Sequence, residues 1–196
     1  MVFDKRNNGN TKATMNYYFK FMHSPVGKIK LVVGDNGLMA ILWENDDPKR
    51  VRIKDPVEKN DHPVLLETER QLREYFKGER KVFSIPLDFI GTEFQKQVWQ
   101  ALLTIPYGET RSYSQVAAQL NNPKAVRAVG AANGKNPVSI IAPCHRVIGA
   151  SGSLTGFAGG LENKAILLKL ENIKTDLKNN SKNQPGDKII QSMLEF

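Results

Sequence analysis

A chain of 196 residues with 40% hydrophobic and 24% charged side chains fits one large domain or two small ones, and has the make-up of an ordinary soluble globular protein. Its single cysteine excludes an intramolecular disulfide and a cysteine-cluster zinc site, and a lone thiol fits a reducing compartment. The net charge of +8 is uneven, with nine basic against four acidic side chains over residues 92–174, which suggests a polyanionic partner without requiring one.

Residues 1–14 are polar and predicted to be loose, with no apolar stretch of the kind a secretory signal needs. The longest apolar run, LMAILW at 38–43, is too short to span a bilayer, so a cytoplasmic, membrane-free protein is expected. YYFKFMHSPVGKIKLVVGDNGLMAILW reads as three strands, because SPVG and GDNG supply turns between β-rich runs. A polar connection follows at 44–60. From Pro63 to Gly78, Leu65, Leu72, Tyr75 and Phe76 recur near helical spacing, and Gly78 is a plausible stop. VFSIPLDFI at 82–90 reads as extended chain.

The composition changes at Gly91. Thr92 and Gln95 match a capping box, and Phe94, Val98, Ala101, Leu102 and Ile105 share one helical face that Pro106 closes. Ser112 and Gln115 form a second capping-box match ahead of Val116, Ala117 and Leu120. After the break at NNP, with Pro123 suited to a first helical turn, KAVRAVGAAN carries Ala125, Val126, Val129 and Ala132. Two short helices joined by a few turn residues are a helix-turn-helix candidate, although on the residues alone two packed core helices are the more ordinary reading. LENKAILLKLENIK reads as a last helix with Ile166, Leu167 and Leu170 inward, and residues 175–196 as a mobile polar tail.

The sole cysteine lies in IIAPCHRVIG, between Pro143 and the last of three histidines. A nucleophilic cysteine works as thiolate and needs a base or electropositive surroundings. His145 could reach the thiol of Cys144 through one water. A buried structural cysteine fits the same spacing.

The Pro-Cys-His-Arg-Val motif at 143–147, with IPYGETRSYSQVA and NPKAVRAVGAAN upstream and GASGSLTGFAGGLENK downstream, resembles the O6-alkylguanine-DNA alkyltransferases. The resemblance is clear over about residues 83–174. It implies an α/β (α+β) fold: a ribonuclease-H-like domain over 1–90, with a three-stranded antiparallel sheet plus helix, and a mostly helical catalytic domain with a helix-turn-helix over 91–174. It implies repair of double-stranded DNA by irreversible transfer of an alkyl group from O6-alkylguanine to Cys144, once per molecule. No cofactor and no structural metal are expected, and the protein should act as a monomer in the minor groove. His145 matches the family's base, Glu171 the acid that orients it, Asn136 a structural tie, and Tyr113 the hydroxyl that helps guanine leave. Arg127 matches the side chain that fills the stack when the base is flipped out. Ser112, Tyr113, Lys124, Ala125, Ala128 and Gly130 are the other residues expected against the DNA. The pocket is expected from Val147, through its carbonyl, Ala158, through its N–H, and Phe157 and Gly159. Many relatives carry tyrosine where this chain has Phe157, so a rim hydroxyl is missing. Two other classes remain open on the residues alone: a DNA-binding regulator or lesion sensor, and a cysteine hydrolase.

Overall fold

Alternation in the first third of the chain builds a sheet. In this computed structural model, which describes residues 16–174, β1 (Tyr18–Ser24), β2 (Gly27–Gly34) and β3 (Gly37–Trp43) form two antiparallel hairpins. The expectations for residues 1–14 and 175–196 lie outside the described residues. Gly37 has φ +145°, and a Cβ there would stand 2.3 Å from the Pro86 carbonyl oxygen, so only glycine lets the 82–90 segment lie against β3. That segment is extended and bonds through Leu38 N–H to Pro86 O (2.8 Å) and Asp88 N–H to Leu38 O (2.9 Å).

The expected three strands gain a fourth. β4 (Val57–Glu58) joins β1 in parallel inside the polar connection, giving the order β3-β2-β1-β4. Both of its residues are exposed and it is held by backbone bonds, so no alternation in the sequence announces it.

The inner face of the sheet buries Ile29, Leu31, Val33, Leu38 and Ile41 against α1 (Pro63–Phe76), whose Leu65, Leu72 and Tyr75 are fully enclosed. Each such aliphatic side chain contributes about 1.5–3 kcal/mol. The same core takes in Val138, Ile140, Ile141 and Leu167 from the second half of the chain. The segment ahead of the cysteine docks on β3, with Ile41 N–H bonded to Pro137 O at 2.8 Å and Ile41 bridged to Val138.

A second core belongs to the helices. α2 (Glu93–Leu103), α3 (Tyr113–Gln119) and α4 (Val126–Gly134) enclose Val98, Leu102, Val116, Ala117 and Val129. Both capping boxes form, at Thr92 with Gln95 and at Ser112 with Gln115. Between α3 and α4 the structure corrects one expectation. Pro123 sits in a turn closed by Ala125 N–H to Asn122 O (2.9 Å), so the helix starts only at Val126. Val126 itself is 36% exposed, and the buried stripe is Val129, Ala132 and Asn133. The last helix, α5 (Gly160–Leu170), is shorter than expected: Glu171 caps it and Asn172 turns left-handed with φ +59°. Leu167 and Leu168 are buried, and so is Lys164, while Ile166 and Leu170 are partly so. No helix among the described residues is long and apolar enough to cross a membrane.

Candidate active site

Cys144 opens a 3-10 turn (Cys144–Arg146) that leads into β6 (Val147–Ile148), which pairs in parallel with β5 (Arg111–Ser112). This places the thiol at the meeting point of both cores. It is 2% exposed, and its Sγ lies 3.9 Å from Oγ of the fully buried Ser139. Burial pushes the thiol pKa up, against contacts with Asn136 and Ser139 and the charges of Lys164 and Arg50, which pull it down. The resting group is therefore a thiol and needs a base to become a nucleophile.

His145 is completely buried beside it, and its Nε2 meets Glu171 Oε1 at 2.8 Å. Burial lowers the imidazole pKa, against the pull of Glu171, so the ring is neutral at pH 7. A neutral ring donating from Nε2 carries its lone pair on Nδ1, which has no hydrogen-bond partner among the described residues.

Glu171 is held by five hydrogen bonds. Oε1 accepts from Tyr75 OH (2.7 Å), His145 and Arg146 Nη2 (3.0 Å); Oε2 accepts from Arg146 Nε (2.8 Å) and the Gly108 N–H (3.3 Å). Burial alone would raise its pKa, but the bonds from His145 and Arg146 outweigh it and bring the value down to about 2. The charges balance locally, since one carboxylate is buried with one guanidinium, each of whose three nitrogens bonds an oxygen, Nε and Nη2 on Glu171 and Nη1 on Ile105 O.

Asn136 is buried between α4 and the cysteine segment. Its Nδ2 donates to Ala142 O (2.7 Å) and its Oδ1 accepts from Val138 N–H (3.1 Å). Its own carbonyl receives Arg50, which also bonds Asp46 and Ile41 O, so the connection after β3 clamps the turn that leads to the thiol.

Tyr113, the first residue of α3, is half-buried, and its hydroxyl receives a bond from Thr155 Oγ1 at 3.1 Å. Phe157 packs against both cores and Ala158 against the first, so segment 155–159 lies over the cysteine side of the molecule. Val147 O already accepts from Lys164 Nζ (2.6 Å), which also donates to Thr155 O (2.8 Å). A carbonyl has a second lone pair, so Val147 keeps one acceptor site. Burial lowers the Lys164 pKa to about 8, with the Cys144 side opposing.

Arg127, Ala128 and Lys124 are exposed at the start of α4, while Ala125 and Gly130 are half-buried, Gly130 against the Tyr113 ring. Ser112 caps α3. The structure thus brings together Cys144, His145, Glu171 and Asn136 with the Tyr113–Phe157 rim, and leaves Arg127 on a separate exposed helix face. Sequence reasoning missed Tyr75, Ser139, Lys164 and the clamping role of Arg146. Only their partners across the fold distinguish them from ordinary core or helix residues. Among the described residues no three metal-ligating side chains cluster.

Two family models match nearly the whole described chain: "6-O-methylguanine DNA methyltransferase, ribonuclease-like domain" over residues 17–89 and "6-O-methylguanine DNA methyltransferase, DNA binding domain" over residues 93–173. A methylated-DNA–protein-cysteine methyltransferase of Methanosarcina acetivorans is 49% identical over 154 residues, 79% of this chain and 97% of that protein. A constitutive methyltransferase of the same name from Bacillus subtilis is 47% identical over 163 residues, 81% and 97% of the two chains. Among solved structures, Mycobacterium tuberculosis OGT in complex with DNA aligns with a TM-score of 0.71 at 45% identity, over 79% of this chain and 92% of that one.

Proposed function

The chain belongs to the 6-O-methylguanine DNA methyltransferase family, and from that membership we propose how its residues divide the work of repair. It is a DNA-repair alkyltransferase that moves an alkyl group from methylated DNA to a protein cysteine, with DNA as its partner. The acceptor is Cys144, and the lesion is O6-alkylguanine.

The observation that carries this reading is the His145–Glu171 pair, with imidazole Nδ1 free of partners among the described residues and a buried thiol on the preceding residue. Glu171 fixes the tautomer, and Nδ1 takes the thiol proton through a water. This is the logic of a nucleophile, a base and an orienting acid. Sulfur then attacks the alkyl carbon. The S–C bond forms as the C–O6 bond breaks, and its electron pair leaves with guanine. The Tyr113 hydroxyl meets the developing negative charge, and the proton that His145 took from the thiol, released again through water, balances the one that completes ordinary guanine. The thioether is not cleaved by water, so the protein acts once and needs no cofactor.

The target atom lies within the base stack, so the nucleotide must be turned out into the pocket. The α3–α4 pair serves as a helix-turn-helix. Its small exposed residues let the helix approach the minor groove closely, and Arg127 fills the gap in the stack. The free lone pair of Val147 O receives the guanine amine and the Ala158 N–H meets O6. One chain carries every required group, so the protein works as a monomer. A thiol that must stay reduced until used belongs in the cytoplasm.

The test is incubation with excess duplex DNA carrying radiolabelled O6-methylguanine. One equivalent of label per protein, mapped to Cys144, is expected, and none with Cys144→Ser. Label on Cys144→Ser, or continued turnover, refutes the assignment.

A further inference from the structure

Trp43 ends β3, in the half of the chain that supplies neither the thiol nor its base. Its indole is 7% exposed and meets the Phe157 ring edge-on, with centroids 5.3 Å apart at 63°. A Cβ on Gly159 would stand 2.7 Å from the same indole. Gly159 has φ −81° and ψ 6°, angles open to any residue. Glycine is therefore needed there for room beside the indole and not for its backbone freedom. So one side chain fixes the segment from both sides of Ala158, and Phe157 in turn packs against the core that holds Cys144. Trp43 Nε1 is buried with no hydrogen-bond partner among the described residues, so the indole acts here through its shape.

We propose that Trp43 is a positioning residue that sets the width of the alkyl-accepting pocket, and with it which alkyl groups the protein removes. The inference rests on the reading of Phe157 and Ala158 as that pocket's wall. The indole is itself held in the first core with Ile29 and Ile41, so with it in place the segment is backed by a buried ring. A smaller residue at 43 opens space behind Phe157 and lets a longer alkyl chain in. A methyl on Gly159 does the reverse, pushing the segment off the indole and toward the thiol.

The two changes must shift selectivity in opposite directions, which a loss of stability alone would not produce. The experiment measures single-turnover rate constants on duplexes carrying O6-methylguanine or O6-butylguanine, with folding followed by circular dichroism. Trp43→Leu is expected to raise the butyl-to-methyl rate ratio roughly tenfold, the scale at which a few methylenes in a pocket are discriminated. Trp43→Phe, which keeps a ring and loses the unpaired N–H, should stay within about threefold of the wild-type ratio, below that scale. Gly159→Ala should lower the ratio, and combining it with Trp43→Leu should restore it, as expected for residues in contact. An unchanged ratio in folded Trp43→Leu overturns the proposal. If Trp43→Leu does not fold, Gly159→Ala decides alone: a lowered ratio supports the proposal and a wild-type ratio overturns it. A wild-type protein that takes no methyl group overturns the pocket reading itself, a different failure from an unchanged ratio.

Discussion

A buried carboxylate with five hydrogen bonds must show itself in acid. Glu171 is held at about 2, below the ordinary 4.5 for such a group. Its folded-state pKa lies under its unfolded one, so its contribution is complete above pH 4.5 and is lost as pH falls toward 2. The shift corresponds to about 3 kcal/mol if the site stays intact. Denaturant unfolding at pH 7 and pH 3 should show about 2 kcal/mol of this loss in the wild type, the remainder falling below pH 3, and Glu171→Gln should lose much less over the same interval. Equal losses in the two proteins would mean that other groups drive the acid response. His145 makes a companion case in which burial lowers the pKa from 6.5. An imidazole with a lowered pKa stays neutral as pH falls past its usual midpoint, so it remains able to accept a proton. The single-turnover transfer rate should therefore hold level from pH 7.5 to 6.5 and fall only below that. A midpoint at or above 6.5 would remove His145 from the role of buried base.

At the scale of elements, the capping boxes separate stability from chemistry. Thr92 caps α2 and Ser112 caps α3, each accepting a bond from the N–H of a glutamine three residues on. Loss of either cap should cost about 1 kcal/mol. Only α3 begins with Tyr113, so Ser112→Ala should also slow alkyl transfer, while Thr92→Ala leaves the rate per folded molecule unchanged. Thermal melts and single-turnover rates on the same samples check this, and equal rates in both variants would deny that the α3 cap positions Tyr113. These helices were legible in the sequence because capping and 3.6-residue periodicity are local signals. β4 was not, since two exposed residues held by backbone bonds leave no side-chain pattern. The late start of α4 was hidden for a related reason: Pro123 suits a β-turn as well as a first helical turn, and the Asn122–Ala125 bond selects the turn. Lys164 was illegible as a buried residue because a lysine in a helix reads as a solvated face. Its burial follows only from the carbonyls of Val147 and Thr155, which the fold brings to it. Cys144, His145 and Glu171 stood out only through the resemblance of the Pro-Cys-His-Arg-Val motif and its neighbouring blocks to the alkyltransferases, because alone Cys144 reads as a buried core thiol and Glu171 as a solvated helix charge, whereas Tyr75 looked like core because its partner lies 96 residues away.

At the scale of the whole molecule, the Cys144 thiol sits where the two halves are joined. The sheet's core includes Val138, Ile140 and Ile141 just ahead of Cys144, and Tyr75 of α1 reaches Glu171 just behind the same site. Arg50 adds a third tie through the carbonyl of Asn136. An alkyl group on sulfur must therefore be housed in a place that is 2% exposed and bounded by residues from both halves. The wall toward Ser139 and Asn136 is hydrogen-bonded and cannot yield without losing buried bonds. The 3-10 turn can yield, but it carries His145 and Arg146, and moving it loosens the bonds on Glu171 that reach across to Tyr75. Overpacking of this kind costs about 1–3 kcal/mol. Each kcal/mol lowers the melting temperature of a chain this size by roughly 2–4 °C. The alkylated protein, freed of DNA, should accordingly melt about 6 °C below the unreacted one, the product of the two mid-range values. Tyr75→Phe, with the cross-half bond already missing, should show a smaller drop on alkylation. Calorimetric scans of both proteins before and after reaction measure the two drops. Equal melting points for used and unused wild type would mean that the site takes up the alkyl group without strain, and equal drops in wild type and Tyr75→Phe would mean that the strain does not travel through Glu171.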